Sequence, residues 1–157
     1  MRNKFSQPRT GFTLIEILVG LTIMAVLFGV GYASYREFAR RQTLNTAFDR
    51  IKNGLSLAQQ LALVGDKPSG CQRLNGYKVD FTSGSFTVSA DCTNEDYEIR
   101  RVSLPGGITF SGASSILYKV LAQGTDIPSN LDVVFTQSAT GKTLNAEITT
   151  QGVLKKQ

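Results

Sequence analysis

One long apolar stretch near the start of the chain limits what this protein can fold into more than any other feature. It runs from Phe12 to Ala33, 22 residues, and Glu16 is its only side chain that is charged at neutral pH. A helix of this length is about 33 Å long, which is enough to cross a hydrocarbon layer of roughly 30 Å. The stretch therefore predicts a membrane span.

The residues before the span are polar and basic, with Arg2, Lys4 and Arg9 among them. Such a start is typical of a targeting or processing segment. An ordinary signal peptide would be cleaved after its apolar region, whereas here the candidate cleavage point follows Gly11 and precedes that region. A plain signal anchor accounts for the hydropathy but leaves Glu16 unexplained, since a carboxylate in a membrane span costs a few kcal/mol.

The run Gly11-Phe12-Thr13-Leu14-Ile15-Glu16 resembles the processing motif of type IV pilins and of the pseudopilins of type II secretion. By that resemblance, a prepilin peptidase cuts between Gly11 and Phe12 and methylates the new amine of Phe12. Glu16 then pairs with the amine of a neighbouring subunit, since neither charge is well satisfied alone in lipid. The resemblance implies four partners: prepilin peptidase, other pilin or pseudopilin subunits, the cytoplasmic membrane and an inner-membrane assembly platform.

Length and charge fit one exported domain behind this helix. The chain has 157 residues, so cleavage after Gly11 would leave 146. The formal net charge is +5, and the leader contributes three of these charges, which leaves about +2. The more basic side of a membrane span usually stays in the cytoplasm, so the basic leader predicts a cytoplasmic Met1. Basic residues also follow the span and weaken this prediction: Arg36, Arg40 and Arg41. The resemblance favours a single-pass protein of the cytoplasmic membrane with its C-terminal domain outside, later part of a pilus or pseudopilus.

Cys71 and Cys92 are the only cysteines. In an exported domain, two cysteines favour a disulfide over a redox or metal site. Closing a loop of about 20 residues would stabilise the fold by roughly 3 kcal/mol. Two reduced thiols are the alternative.

Beyond the span, the helix is predicted to continue to about Val64. Gly65-Asp66-Lys67-Pro68 then supplies a stop, because glycine suits the C-terminal cap and proline cannot continue a helix. Apolar residues recur at the three- and four-residue spacing of an amphipathic helix, which packs on a sheet or forms a coiled-coil seam. These residues are Leu44, Phe48, Ile51, Leu55, Ala58 and Ala62.

The rest of the chain alternates as antiparallel strands do. The predicted strands are Tyr77 to Phe81, Phe86 to Ala90, Tyr97 to Leu104, Ile108 to Phe110, Ile116 to Leu121, Leu131 to Phe135, Leu144 to Ile148 and Val153 to Lys155. A helical turn remains an alternative for the fifth. The predicted fold class is α+β, a long N-terminal helix packed on an antiparallel β-sheet domain. The predicted divisions are 1–11 (leader), 12–33 (transmembrane and filament-core helix), 34–64 (amphipathic helix) and 65–157 (sheet domain).

A helix followed only by strands, ending in a hairpin and a short glycine-led strand, resembles the minor pilin and pseudopilin group called GspH/FimT. Some members of that group bind DNA through an arginine-bearing, glycine-led C-terminal motif. This chain ends Gly152-Val153-Leu154-Lys155-Lys156-Gln157, with lysines in place of the arginines. Lys155 and Lys156 can attract phosphate as point charges, so DNA contact is one hypothesis. A solvated charged tail on an edge strand is the other.

The sequence offers no set of residues typical of an enzyme, and no cofactor is predicted. Histidine is absent, and no glycine-rich phosphate loop follows a strand. The run from Asp91 to Asp96 has oxygen ligands for calcium but lacks the glycine and spacing of an EF-hand loop, which favours a polar turn. Arg100 and Arg101 are adjacent in a strand and should point to opposite faces, so they predict no basic patch.

We therefore predict a structural subunit, a minor pilin or pseudopilin of a type IV pilus-like filament. The alternatives are a DNA-binding minor pilin for DNA uptake and a pseudopilus component that contacts exported proteins in type II secretion. The sequence does not separate a pilus from a secretion pseudopilus.

Overall fold

The computed structural model describes residues 11–157, apart from the side chains of Val30 and Ala33. The leader residues Arg2, Lys4 and Arg9 lie outside this range. In the described part, one helix precedes eight strands: α1 (Leu14–Val64), β1 (Leu74–Phe81), β2 (Ser85–Cys92), β3 (Tyr97–Ser103), β4 (Ile108–Ser111), β5 (Ser115–Lys119), β6 (Leu131–Gln137), β7 (Thr143–Ile148) and β8 (Leu154–Lys156). The predicted α+β class is confirmed.

The chain divides into two compact units, with the boundary between Ala39 and Arg40. The described part of the first unit is the apolar N-terminal portion of α1. The second unit, Arg40–Gln157, holds the rest of α1 and all eight strands. Its helical portion ends at Val64, where Gly65 adopts a left-handed φ of 67° and donates its N–H to the Leu61 carbonyl at 2.9 Å. The predicted glycine stop is thus confirmed.

The strands form two four-stranded antiparallel sheets, whereas the sequence predicted a single sheet. The first has the order β3-β2-β1-β5 and the second the order β4-β6-β7-β8. Two tight hairpins, β1–β2 and β6–β7, form the centres of the sheets, and β5 and β4 return to pair with them. A backbone hydrogen bond joins the two sheets: the Phe110 amide in β4 donates to the Ser83 carbonyl in the β1–β2 turn at 2.9 Å.

The predicted apolar stripe of α1 packs on the sheets. Five of its six residues are buried, and Phe48 is partly buried against the same core. Aromatic rings join the layers: the Phe110 centroid lies 4.8 Å from that of Phe81 in the first sheet and 5.3 Å from that of Phe135 in the second. Phe48 brings the helix to the same cluster, 6.0 Å from Phe135. The stripe is therefore a face for sheet packing, as predicted.

Several strands begin or end at residues other than those predicted, and the backbone explains two of these differences. The strand predicted to reach Leu121 ends at Lys119, because Leu121 and Ala122 have left-handed φ values of 55° and 59°. The last strand begins at Leu154, one residue later than predicted. Val153 belongs to the preceding turn, where its carbonyl accepts the N–H of Thr149 at 3.0 Å.

Candidate functional site

The helix begins two residues later than predicted, and Thr13 is its N-terminal cap. The Glu16 amide donates to the Thr13 carbonyl at 3.1 Å and lies 3.3 Å from the Thr13 hydroxyl oxygen. A threonine in this position satisfies an amide that would otherwise have no partner in the first turn. Gly11 and Phe12 therefore precede the helix, and the bond between them lies outside it.

Glu16 lies in the first turn of α1 and is exposed. A carboxylate in this position is favoured by the partial positive charge of the helix N-terminus. Within residues 11–157 it forms no ion pair. The carboxylate is thus open to a charge from another molecule.

The first unit exposes its large apolar side chains on every side of the helix. From Phe12 to Phe28 these side chains have 48% to 83% of their surface exposed. This described helix contains a segment long and apolar enough to cross a membrane. Apolar surface of this extent needs lipid or other helices around it, so it points to membrane anchoring.

Cys71 and Cys92 form a disulfide, with the two sulfurs 2.03 Å apart. The bond joins the segment after α1 to the last residue of β2. The Asn94 side chain reinforces this connection: its oxygen accepts the Gln72 N–H at 3.0 Å, and its nitrogen donates to the Gly70 carbonyl at 3.1 Å. The sequence did not single out Asn94, since no spacing rule relates it to residues more than 20 positions earlier.

The structure separates the two C-terminal lysines, which lie on β8 at the edge of the second sheet. Successive strand residues point to opposite faces, and only Lys156 lines a groove of about 470 Å³. Arg41 and Lys142 line the same groove, and the Lys156 ammonium donates to the Asn45 side-chain oxygen at 3.1 Å. Lys155 pairs in register with Glu147.

The sequence did not predict that Arg41 and Lys142 share this groove with Lys156. They lie more than 100 and more than 10 positions before it, and only the pairing of β7 with β8 and the packing of α1 bring them together. Three basic side chains therefore line this groove.

The glycine that leads the C-terminal motif has a packing role. Gly152 has a left-handed φ of 76°, and a Cβ there would lie 2.3 Å from the Tyr118 ring. The Tyr118 hydroxyl donates to the Gly152 carbonyl at 2.5 Å, and burial raises the pKa of that hydroxyl above its usual range. The packing of this turn thus accounts for a glycine at position 152, and a role in nucleic-acid binding is not needed to explain it.

Asp80 in β1 and Asp96 after β2 both form salt bridges with Lys78. The Lys78 ammonium lies 2.6 Å from an Asp96 oxygen and 3.4 Å from an Asp80 oxygen. The hydrogen bond to Asp96 is the main cause that raises the pKa of Lys78, and the nearby Asp80 charge raises it further. No group of three or more potential metal ligands occurs in the part of the chain that the structure describes.

Arg100 and Arg101 are both exposed on β3. The Arg101 guanidinium pairs with Glu98 at 2.7 Å, whereas Arg100 lies beside a small cavity that Arg50 also lines. The two arginines point to different sides of the strand, so they form no joint basic patch.

Comparison with known protein families gives one finding. The family model described as the prokaryotic N-terminal methylation motif matches residues 7–32. The match spans Gly11, Phe12 and Glu16, and it supports a type IV pilin-like precursor at this end of the chain. No curated protein matches the chain, and no solved structure matches it. The resemblance to the GspH/FimT group stays a prediction.

Proposed function

We propose that this chain is a structural subunit, a minor pilin or pseudopilin, of a type IV pilus-like filament, and not an enzyme. The observation that carries the proposal is the exposed apolar helix with Glu16 in its first turn, directly after the Gly11–Phe12 bond. The methylation motif matched over residues 7–32 supports it. Residues 1–11 are then the leader, and residues 12–33 anchor the precursor in the cytoplasmic membrane.

Processing would take place at the Gly11–Phe12 bond. Prepilin peptidase cuts this bond and methylates the amine of Phe12. Because the Thr13 cap keeps both residues outside α1, the peptide bond is not held in helical hydrogen bonds before cleavage. The residues after the cut would leave the bilayer as part of the filament core.

During assembly, Glu16 would form an ion pair with a neighbouring subunit. In lipid, an unpaired carboxylate is costly, and so is the new amine of Phe12. Contact between Glu16 of one subunit and the amine of the next satisfies both charges. The pairing is possible only when the two helices pack at a particular offset, so it would also fix the register of neighbouring subunits.

The intact mass and N-terminal sequence of the protein from native membranes test the processing step. We expect a chain that starts at Phe12 and carries one additional methyl group. A chain that starts at Met1 would show that the helix is an ordinary signal anchor, and the proposal would then have no basis.

Glu16→Ala tests the assembly step. The variant removes a charge from the membrane span, so we expect it to remain in the membrane and to be cleaved, while its incorporation into filaments falls at least tenfold. Immunoblots of sheared filaments and of membranes measure the two fractions. Thr22→Ala is the matched control, because the Thr22 hydroxyl donates to the Val19 carbonyl of its own helix, at 2.8 Å. Normal incorporation of the Glu16→Ala variant would contradict the mechanism.

The groove around Lys156 favours a second candidate function, binding of DNA by an exposed minor pilin. Arg41, Lys142 and Lys156 line it. Three cations along a groove can track phosphates without reading sequence. This candidate differs from the sequence hypothesis in its residues, since Lys155 is on the other face.

Binding of duplex DNA at several salt concentrations tests this candidate. Lys156→Ala should weaken binding and lower the slope of log K against log salt by about 1, since one phosphate contact is lost. Lys155→Ala is the control, and it should leave the slope unchanged. Equal effects of both variants would show that the groove is not the site.

A further inference from the structure

Two charged residues flank the apolar portion of α1 in the first unit. Glu16 and Arg36 are 20 positions apart, and no residue between them has a side chain that is charged at neutral pH. The helix is continuous through both of them. At 1.5 Å per residue, they lie about 30 Å apart along its axis, which equals the thickness of a hydrocarbon layer. One position of the helix across the membrane therefore places both charges at the boundaries of the hydrocarbon.

This position differs from the one that the apolar pattern alone predicts. The stretch from Phe12 to Ala33 is centred next to Thr22. With Thr22 at the bilayer centre, Glu16 would lie inside the hydrocarbon, where a carboxylate is costly. With Glu16 and Arg36 at the two boundaries, the centre moves to Val26, about 5 Å further along the helix.

The side chains between the two charges suit this position. The Thr22 hydroxyl donates to the Val19 carbonyl at 2.8 Å, so this polar group is satisfied within the helix itself. Tyr32 and Tyr35 are exposed near the end that carries Arg36. Tyrosine is enriched at membrane–water boundaries, because its ring is apolar and its hydroxyl reaches water. The two tyrosines therefore indicate the same boundary as Arg36.

The Arg36 side chain is already oriented by Tyr32. Its guanidinium carbon lies 5.7 Å from the centre of the Tyr32 ring, within the range of a cation–π interaction. A guanidinium over a ring keeps the N–H groups of its edge available, and these match the oxygens of a phosphate. Successive helix residues are about 100° apart, so the acidic neighbour Glu37 projects to another side.

We propose that Arg36, held over Tyr32, binds the phosphate of a phospholipid on the outer side of the cytoplasmic membrane. Together with Glu16 at the inner boundary, this contact fixes the position of the helix across the membrane. The proposal rests on the filament function proposed above, which places the C-terminal domain outside the cytoplasm. It gives Arg36 a role that the usual distribution of basic residues does not explain, since that distribution favours the cytoplasmic side.

This position has consequences for processing and for assembly. The Gly11–Phe12 bond precedes Glu16, so it lies beyond the hydrocarbon on the cytoplasmic side before cleavage. When the subunit moves outward into a filament, Glu16 must enter the hydrocarbon and Arg36 must leave its phosphate. Entry of Glu16 is favourable only when its charge is paired with the amine of a neighbouring subunit. A subunit without such a neighbour therefore stays in the membrane.

Fluorescence quenching by labelled lipids measures this position. The full chain with one introduced cysteine is labelled with a small fluorophore and reconstituted in vesicles of phosphatidylglycerol and phosphatidylethanolamine. The two native cysteines are in the disulfide, so the introduced thiol reacts. A quencher at the end of the acyl chains should act more strongly on a label at Val26→Cys than at Thr22→Cys, one turn earlier on the same side. Stronger quenching at Thr22→Cys would overturn the proposal.

Arg36→Gln in the Val26→Cys background tests the contact of Arg36. Loss of the charge lets the helix shift, and a shift of two residues moves the label about 3 Å from the bilayer centre. We expect quenching of the label to fall about 1.5-fold, whereas Arg36→Lys should retain it, because an ammonium also binds phosphate. Ser34→Ala is the matched control and should change nothing, since it removes an exposed polar group without a charge. Unchanged quenching in Arg36→Gln would show that Arg36 does not fix the position.

Vesicles of a galactolipid, which contains no phosphate, test the identity of the partner. In these vesicles the chain with native Arg36 should give the reduced quenching of the Arg36→Gln variant. Addition of inorganic phosphate should not restore the quenching, because the phosphate must be held at the membrane surface. Full quenching in the galactolipid alone, or its restoration by inorganic phosphate, would each overturn the choice of a phospholipid.

The N-terminus distinguishes failure of this inference from failure of the proposed function. A chain cleaved to Phe12 in native membranes, but with Thr22 at the bilayer centre, loses only the position proposed here. A chain that begins at Met1 and has Val26 at the centre keeps the phosphate contact and loses the filament.

Discussion

Gly152 is constrained in two independent ways. Its φ of 76° is readily adopted only by glycine, and the Tyr118 ring occupies the space that a side chain would need. A glycine before a basic tail fits a nucleic-acid motif equally well on sequence alone. At the scale of one residue, the contact with Tyr118 distinguishes the two explanations.

Gly152→Ala should lower the free energy of unfolding by about 2–4 kcal/mol, because it adds left-handed strain and overpacking against Tyr118. Urea unfolding of the purified protein measures the change. Gly141→Ala is the matched control: Gly141 has a φ of 67°, but nothing lies within 4 Å of its Cβ position, so only the backbone cost of about 1–2 kcal/mol applies. Equal losses in the two variants would show that the Tyr118 contact has no energetic weight.

At the scale of elements, the approach of α1 to the first sheet depends on Gly54. A Cβ at this position would lie 2.2 Å from the Phe86 ring, which is itself buried. In an isolated helix, alanine would be better than glycine by about 1 kcal/mol. Here the contact between the helix and the sheet outweighs the preference of the helix.

Gly54→Ala should therefore destabilise the fold, by up to about 2 kcal/mol, because the overpacking cost of about 1–3 kcal/mol is offset by only about 1 kcal/mol of helix propensity. Denaturant unfolding gives the change. Gly54→Ala combined with Phe86→Leu should be more stable than the sum of the single effects predicts, since the smaller side chain makes room for the methyl group. Strict additivity would mean that the two residues do not compete for space.

At the scale of the whole molecule, the second unit holds the entire described core. Every buried core side chain lies between Leu44 and Leu154. The disulfide also lies within this unit and closes a loop with a sequence separation of 21 residues, a stabilisation of about 3 kcal/mol. The described first unit contributes no buried large side chain.

Residues 40–157, exported without the residues before them, should fold by themselves, because they retain all the packing that stabilises the domain. We expect a cooperative thermal transition and complete oxidation of Cys71 and Cys92. Circular dichroism and mass measurement after thiol alkylation check the two points. A gradual transition, or free thiols in most molecules, would show that the domain depends on the preceding residues.

Sequence alone accounted for much of the fold because its main signals are local. The spacing of the stripe from Leu44 to Ala62 predicted the buried face of α1, and Gly65 predicted where the helix ends. The strands on either side of Ser83-Gly84, and those from Leu131 to Phe135 and from Leu144 to Ile148, followed from alternation. The start of the helix was less accurate, since the cap at Thr13 competes with the apolar pattern that continues to Phe12.

The sequence by itself determined the long apolar helix, the α+β class and the candidate processing motif, because each depends on residues that are close together in the chain. Tertiary structure decided the division into two sheets, the separation of Lys155 from Lys156 and the grouping of Arg41 with Lys142. It also decided that Ile99 in β3 and Leu121 in the loop after β5 remain exposed. These features depend on strand pairing and on contacts between residues that are distant in the sequence. A local sequence pattern carries no information about such contacts.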